Sequence, residues 1–217
     1  MKLVVFDFDG LILDTEVPVY EAWQEIYVEH GATLAFEKWA LCIGTADVFD
    51  PCVDLETALG RALDAAALRG RHRVRTDALI DAQAVLPGVR EYVDEARRLG
   101  LRLGVASSSS RRWVEGHLQR LGLRDRFDVI RCADDVPRVK PDPALYRAVL
   151  DATGVRPEDA MALEDSPNGV LAAKRAGLTC VAVPNALTAR LDLSHADLSL
   201  TSLADLPLTD LLARFRR

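Results

Sequence analysis

The stretch LVVFDFDGLILDTE, Leu3 to Glu16, joins a short apolar run to a group of carboxylates. The run Leu3–Phe6 is continuous and apolar, which is typical of a strand buried on both faces of a parallel sheet. Asp7 and Asp9 follow this run directly. A DxD pair after a single strand is usually a turn or a helix cap, so this pair indicates a functional site only if other strands end in the same way.

The same pattern recurs along the chain and predicts a doubly wound α/β sheet. Further apolar runs lie at Leu103–Ala106, Val129–Cys132, Ala160–Leu163 and Cys180–Val183. The segments between them have apolar residues at three- and four-residue spacing, which is typical of helices. Alternating strands and helices favour a parallel sheet with helices on both faces.

One segment interrupts this alternation. Between Glu16 and about Val85 the pattern is helical, with one helix expected to end at Gly31 and another, beginning near Leu55, to end at Gly70. The sequence therefore predicts a core of residues 1–15 and 84–217 and an inserted helical domain of residues 16–83.

Composition and charge exclude several classes of function. The formal net charge of −6 over 217 residues argues against binding to nucleic acid or to an anionic membrane, since both need basic patches. No apolar run approaches the roughly 20 residues of a membrane-spanning helix, and the first run is too short for a signal peptide. The four cysteines show no CxxC spacing that would indicate structural zinc. We expect a cytoplasmic protein with reduced thiols, as a monomer or a weak homodimer.

Polar side chains follow four of the five predicted strands. They are Asp7, Asp9, Ser107, Lys140, Glu164 and Asp165. Because ligands bind at the carboxyl ends of the strands in a doubly wound sheet, we expect these side chains to share one site. The fifth run ends at Pro184-Asn185, where we expect no comparable group.

The carboxylates of this site need a cation. Two carboxylates about 4 Å apart repel by about 4 kcal/mol at an effective dielectric constant of about 20. Four of them are untenable together without a counter-ion, and a site made of oxygen ligands favours Mg²⁺ over zinc or copper. Mg²⁺ and Lys140 would both attract phosphate, and Ser107 would donate a hydrogen bond to it.

Four segments resemble the motifs of a known family. DFDGLILDTE, VASSSS, RVKPDP and ALEDSPNG resemble, in this order, the four motifs of the haloacid dehalogenase-like superfamily. The resemblance spans Lys2 to about Asn185 and is closest to the branch of phosphatases and β-phosphoglucomutases with a helical cap after the first strand. It implies a Rossmann-like core, and it makes the inserted helical domain the cap over the active site.

The resemblance also implies roles for the acidic residues. Asp7 would be the nucleophile that forms an aspartyl-phosphate, and Asp9 would be the general acid and base. The Asp7 side chain, the Asp9 backbone carbonyl and Asp165 would hold Mg²⁺, with Glu164 as a direct or water-mediated ligand.

The remaining motif residues would bind the substrate or support the chain. Ser107 and Ser108 would bind the transferring phosphoryl group, and Lys140 would link it to the nucleophile. Asp14 would fix the hinge by local hydrogen bonds, and Glu16 would do the same or contact the substrate. The substrate implied is a small phosphorylated metabolite, such as a sugar phosphate or a similar phosphomonoester. Specificity would come from the cap, with candidates Trp39, Thr45, Asp47 and Asp50.

Three alternatives to hydrolysis of a phosphomonoester were compared. Asp9 argues against dehalogenation, because a halide leaves without a proton. A catalytically silent binding module is disfavoured by the intact set of motif residues. A β-phosphoglucomutase resembling this chain would have a histidine at Val19 and, with its cap glycine aligned on Gly44, an arginine at Asp47. Both departures favour the phosphatase.

Overall fold

The structure is a computed structural model that describes residues 1–40, 43 and 49–215. The specificity candidates Thr45 and Asp47, and Gly44, on which the cap glycine was aligned, lie outside these residues. The chain forms two compact units, one of Met1–Leu13 with Ala84–Arg217 and the other of Asp14–Gln83. The roles of catalytic core and cap stay predictions.

The described residues of the smaller unit form helices. These are α1 (Glu16–Glu29), α2 (Phe36–Trp39), α3 (Pro51–Leu59) and α4 (Ala65–Asp81). Trp23 of α1 stacks on His72 of α4 with ring centroids 4.3 Å apart, and His72 Nε2 donates to the Val19 carbonyl oxygen at 3.0 Å. The Tyr27 hydroxyl donates to the Pro51 carbonyl at 2.8 Å and so joins α1 to α3.

One helix boundary in this unit was predicted wrongly. The helix that begins near Leu55 ends before Gly60, whose φ of +64° is the left-handed conformation that terminates helices. A new helix then starts after Asp64, whose side chain accepts a hydrogen bond from Ala67 N at 3.0 Å. Gly70, the predicted end, lies inside α4.

Two of the predicted specificity residues have structural contacts within this unit. Trp39 is buried and packs against Tyr20, with ring centroids 5.6 Å apart. Asp50 caps α3 by accepting from Cys52 N at 2.9 Å, and it pairs with Arg69 at 2.6 Å. Contact of either residue with substrate stays a prediction.

The larger unit is built on a parallel sheet. Its strands are β1 (Leu3–Phe6), β2 (Arg102–Ala106), β3 (Val129–Arg131), β4 (Ala160–Glu164), β5 (Thr179–Ala182) and β6 (Leu198–Ser199). Their order is β3-β2-β1-β4-β5-β6, and each neighbouring pair is parallel. This is the order of a Rossmann-like doubly wound sheet, so the predicted fold class is confirmed. The two-residue β6 was not predicted, because it is too short to leave a pattern.

Helices flank this sheet. They are α5 (Val89–Arg98), α6 (Arg111–Arg120), α7 (Ala144–Thr153), α8 (Pro167–Arg175) and α9 (Leu208–Arg214). α7 packs closely on β2 because Gly104 has no side chain, and a Cβ atom there would lie 2.8 Å from Val149 Cγ1. In the described part of the chain, no helix is both long and apolar enough to cross a membrane.

Candidate active site

The candidate site lies where β1 and β4 end side by side. Phe6 of β1 is paired with Leu163 of β4, and Asp7 N continues the ladder with a 3.0 Å hydrogen bond to the Leu163 carbonyl. This register places Asp7 beside Glu164 and Asp165. One oxygen from each of these buried carboxylates lies within 4.8 Å of the others. The strand order reverses between β1 and β4, which is where doubly wound sheets bind ligands.

Lys140 bridges two of these carboxylates. Its Nζ lies 2.7 Å from Asp7 Oδ1 and 2.7 Å from Glu164 Oε1, and the residue is only 6% exposed. Burial disfavours the charged amine, but Asp7 and Glu164 outweigh burial and raise the pKa of Lys140. The two carboxylates therefore favour the charged form of Lys140.

Asp7 lies in a less favourable environment for its charge. Burial and the neighbouring Glu164 raise the pKa of Asp7 well above its usual value, although Lys140 acts in the opposite direction. The Phe8 backbone N–H also donates to Asp7 Oδ1 at 2.7 Å. The ionised form of Asp7 thus depends on the positive charge placed beside it.

One carboxylate oxygen of Glu164 is held by donors, and the other is buried without a partner among the described residues. The Tyr146 hydroxyl donates to Glu164 Oε1, and the Tyr146 ring lies below Lys140 Nζ at 5.4 Å from the centroid. Gly169 of α8 makes room for this carboxylate, since a Cβ atom there would lie 1.8 Å from Oε2. Among the described residues, Glu164 Oε2 is buried without a hydrogen-bond partner. A cation ligated by Oε2 would satisfy it.

Asp9 is held by donors from the loop after β2 and from α6. Its Oδ2 accepts from the Ser107 hydroxyl at 3.1 Å and from the Ser109 hydroxyl at 2.7 Å. Its Oδ1 accepts from Trp113 Nε1 at 2.9 Å. The predicted contact of the Asp9 backbone carbonyl with the metal, and of Ser107 with phosphate, stay predictions.

The end of β5 contributes a group that was not expected there. Asn185 Nδ2 donates to Asp165 Oδ2 at 2.9 Å. The orientation of this amide is set by its oxygen, which accepts from Leu187 N at 2.9 Å and Thr188 N at 3.0 Å. The expectation that the fifth strand carries no comparable group is therefore wrong.

Gly10 lets the chain after β1 pass close to these groups. Its φ is +77°, and a Cβ atom there would lie 2.2 Å from Asp165 Oδ2 and 2.7 Å from Asn185 Nδ2. Any side chain at this position would displace the Asp165 carboxylate. Gly10 thus combines a left-handed turn with a close approach that other residues cannot make.

The remaining predicted residues lie in the loop after β2 or in the smaller unit. Ser108 is exposed in the loop after β2. Asp14 and Glu16 belong to the smaller unit, where Asp14 Oδ1 accepts from Val17 N at 3.1 Å, as a local hydrogen bond of the kind expected. The roles assigned to all of these residues stay predictions.

Four side chains that contact the cluster were not proposed from the sequence. They are Ser109, Trp113, Tyr146 and Asn185. Trp113 and Tyr146 match the apolar spacing of their helices, so the sequence pattern assigns them to the core and does not show that their N–H and O–H groups donate to the site. Asn185 follows a strand as the other site residues do, so its position alone could have revealed it.

The sequence pattern of the haloacid dehalogenase-like hydrolase family matches residues 4–183, which is most of the chain. The chain belongs to the haloacid dehalogenase-like hydrolases. The family predicted from the four motifs is thereby confirmed.

Relatives of this hydrolase carry phosphatase names. It is 46% identical over 212 residues to the protein YhcW of Bacillus subtilis (strain 168), covering 98% of this chain and 96% of the relative. It is 32% identical to hexitol phosphatase B of Escherichia coli (strain K12), covering 96% and 95% of the two chains. These similarities confirm that the hydrolase is an enzyme of the phosphatase class.

Solved structures agree with this assignment. The crystal structure of CbbY from Rhodobacter sphaeroides in complex with phosphate has a TM-score of 0.73 at 33% identity, covering 97% of this chain and 99% of that one. A mutant of CbbY, with a TM-score of 0.74 at 32% identity and the same coverage, was crystallised with xylulose-1,5-bisphosphate.

Proposed function

We propose that this hydrolase is a Mg²⁺-dependent phosphatase that releases phosphate from a small phosphorylated metabolite through an aspartyl-phosphate on Asp7. The observation that supports this most is the buried group of Asp7, Lys140, Glu164 and Asp165 at the ends of β1 and β4. A buried nucleophile beside a fixed cation suits an attack on an anionic phosphorus centre.

The donor set of the site fits a hard divalent cation. Lys140 pairs with Asp7 and Glu164, so the three buried carboxylates outnumber the single lysine. Glu164 Oε2 has no hydrogen-bond partner among the described residues. The candidate metal ligands are all oxygen atoms, which suits Mg²⁺. Asp7, Glu164 and Asp165 would hold Mg²⁺, which when bound would offset their charge and that of the substrate phosphate.

The proposed reaction has two steps carried by Asp7 and Asp9. In the first, the Asp7 carboxylate forms a bond to phosphorus as the bond to the leaving oxygen breaks, and Asp9 gives that oxygen a proton. In the second, Asp9 removes a proton from water, which attacks phosphorus and releases Asp7 and inorganic phosphate. Ser107, Ser108 and Lys140 would hold the phosphoryl oxygens during both steps.

The substrate class proposed is a phosphorylated sugar or polyol. Hexitol phosphatase B and the bisphosphate complex of CbbY both concern polyhydroxylated phosphates. Trp39 and Asp50 are the candidates for recognition of the carbon skeleton within the described part of the smaller unit, and Thr45 and Asp47 lie outside it.

The competing proposal is transfer of phosphate between two sugar hydroxyls. Val19 lies in α1 at the position where a β-phosphoglucomutase would have its histidine, and its side chain has no atom that can form a hydrogen bond. This favours water as the acceptor. Incubation with β-glucose 1-phosphate and a trace of the 1,6-bisphosphate tests the choice, because rapid glucose 6-phosphate formation with little free phosphate would exclude the phosphatase.

The direct test of the proposal is a screen of phosphorylated sugars and polyols with p-nitrophenyl phosphate as a general substrate. Phosphate release should require Mg²⁺, stop with EDTA and return when Mg²⁺ is restored. Acid-quenched protein should carry phosphate on Asp7 during turnover. Full activity of a metal-free preparation would contradict the proposal.

A further inference from the structure

The indole of Trp113 is directed at the carboxylate of Asp9. Trp113 lies in the first turn of α6, and its Nε1 is 2.9 Å from Asp9 Oδ1. The ring packs edge-on against His117 at 4.3 Å between centroids, and His117 stacks on Phe8 at 6.3 Å. The indole is therefore supported by His117 of the next helical turn, and His117 is in turn supported by Phe8, the residue before Asp9.

The donors on the two oxygens of Asp9 differ in kind. A tryptophan N–H can only donate a hydrogen bond, whereas a serine hydroxyl donates or accepts after a rotation about its C–O bond. Oδ1 accepts from the indole, and Oδ2 accepts from the hydroxyls of Ser107 and Ser109. The two hydroxyls can rotate away from Oδ2 when another group approaches, but the indole hydrogen cannot turn away from Oδ1.

We propose that Trp113 is a positioning residue for Asp9, which holds the carboxylate through a donor on Oδ1 that cannot turn away and so fixes the direction of Oδ2. This inference rests on the proposed role of Asp9. It deepens that role by naming the side chain that orients the carboxylate. In this view Ser107 and Ser109 release Oδ2 when the phosphate arrives.

The substitution Trp113→Phe tests this inference, because it keeps an aromatic ring against His117 and removes only the N–H donor and part of the ring. The readout is kcat/KM for a series of aryl phosphates whose leaving phenols differ in acidity. p-Nitrophenolate leaves with little need for a proton, whereas phenolate depends on the general acid. We expect kcat/KM to fall about 10-fold or more on phenyl phosphate and less than about 3-fold on p-nitrophenyl phosphate, as for the loss of a hydrogen bond to a charged group.

Two reference variants separate the possible outcomes. Asp9→Asn should steepen the dependence on the leaving group more than Trp113→Phe does, and if it does not, the acid–base role of Asp9 fails. Ser110→Ala removes the side chain that accepts from Trp113 N at the start of α6, so it weakens the same helical turn and keeps the indole donor. Ser110→Ala should change kcat/KM for phenyl phosphate and for p-nitrophenyl phosphate by the same factor. An equal loss on both substrates in Trp113→Phe, with a steep dependence in Asp9→Asn, would overturn the inference and leave the role of Asp9 intact.

A second measurement does not depend on the folding of the tryptophan variant. The chain has three tryptophans, so ¹⁵N-labelled protein should show at most three indole N–H signals. The Trp113 signal, assigned by its loss in Trp113→Phe or by selective backbone transfer, should shift in Asp9→Ala because its acceptor is gone. If the three indole signals are unchanged in folded Asp9→Ala, the hydrogen bond does not exist in solution and the inference is wrong.

Discussion

Two groups of charges, one in each unit of this hydrolase, lie in opposite environments. In the unit with the sheet, Asp7 and Lys140 are each 6% exposed and Glu164 is fully buried. In the helical unit, Arg71 of α4 pairs with Glu29 of α1, and their side chains are 53% and 52% exposed. The first arrangement brings charges together at the end of a sheet, and the second places them on a surface that water already solvates.

The difference concerns what each group of charges contributes to stability. Removing an ion from water costs several kcal/mol even after the protein relaxes, so a buried network is weak evidence for stability. A surface pair contributes about 0.2–1 kcal/mol. The buried network of Asp7, Lys140 and Glu164 is therefore better explained by chemistry on an anionic substrate than by a contribution to the fold.

The largest effect is expected from Asp7→Asn. A carboxamide is a poor nucleophile, so turnover should fall about 10³-fold or more. The fold should survive, because burial and Glu164 raise the pKa of the Asp7 carboxyl and so already disfavour its charged form. The neutral carboxamide avoids that cost. Phosphate release and thermal unfolding measured on the same preparation check both parts. A variant that keeps wild-type turnover would show that Asp7 is not the nucleophile.

The substitution Lys140→Met should break the buried network from the other side. It leaves Asp7 and Glu164 without their cation, and loss of one partner of a buried pair destabilises by about 3–5 kcal/mol. Urea unfolding without Mg²⁺ measures the change. Adding Glu164→Gln to Lys140→Met should restore part of the stability, since it removes one of the two stranded charges. No recovery in the double variant would mean that Lys140 stabilises the fold by packing alone.

Part of this network could be predicted because the end of each strand is visible in the sequence as the point where an apolar run gives way to polar residues. Apolar runs followed at once by Asp7, Ser107 or Glu164 place polar groups at one edge of the sheet, since parallel strands share a direction. The predicted fold class depended only on such local patterns. The same local signal was present at Asn185, where it was not used.

Other features depend on contacts that no local pattern contains. Trp113 matches the apolar spacing of α6, but its function depends on a donor directed at Asp9, 104 positions earlier in the chain. Tyr146 likewise matches the apolar spacing of α7, while its hydroxyl donates to Glu164. The apolar spacing continues past Gly60 to Gly70, but the left-handed backbone at Gly60 ends α3 there.

A smaller effect is expected where the buried network meets β5. Asn185→Asp keeps an oxygen for the Leu187 and Thr188 backbone donors and replaces the amide that donates to Asp165 with a second carboxylate oxygen. The Mg²⁺ concentration for half-maximal activity should rise about 10–100-fold, as for other residues that orient a metal ligand. Mg²⁺ titration by calorimetry and by activity should agree. An unchanged Mg²⁺ requirement would show that Asn185 does not support Asp165.

The smallest effect is expected at the surface of the helical unit, where a double-mutant cycle of Arg71→Ala and Glu29→Ala isolates the pair energy. The two charges are more than half exposed, so their coupling should be about 0.2–1 kcal/mol and should decrease in 1 M NaCl, where the Debye length is about 3 Å. Each single variant should be nearly neutral, because alanine is a good helix former and Glu29, at the end of α1, opposes the helix dipole. Turnover should not change. Urea unfolding in low and high salt gives the coupling, and a value above about 2 kcal/mol that persists in 1 M NaCl would contradict the division between the two units.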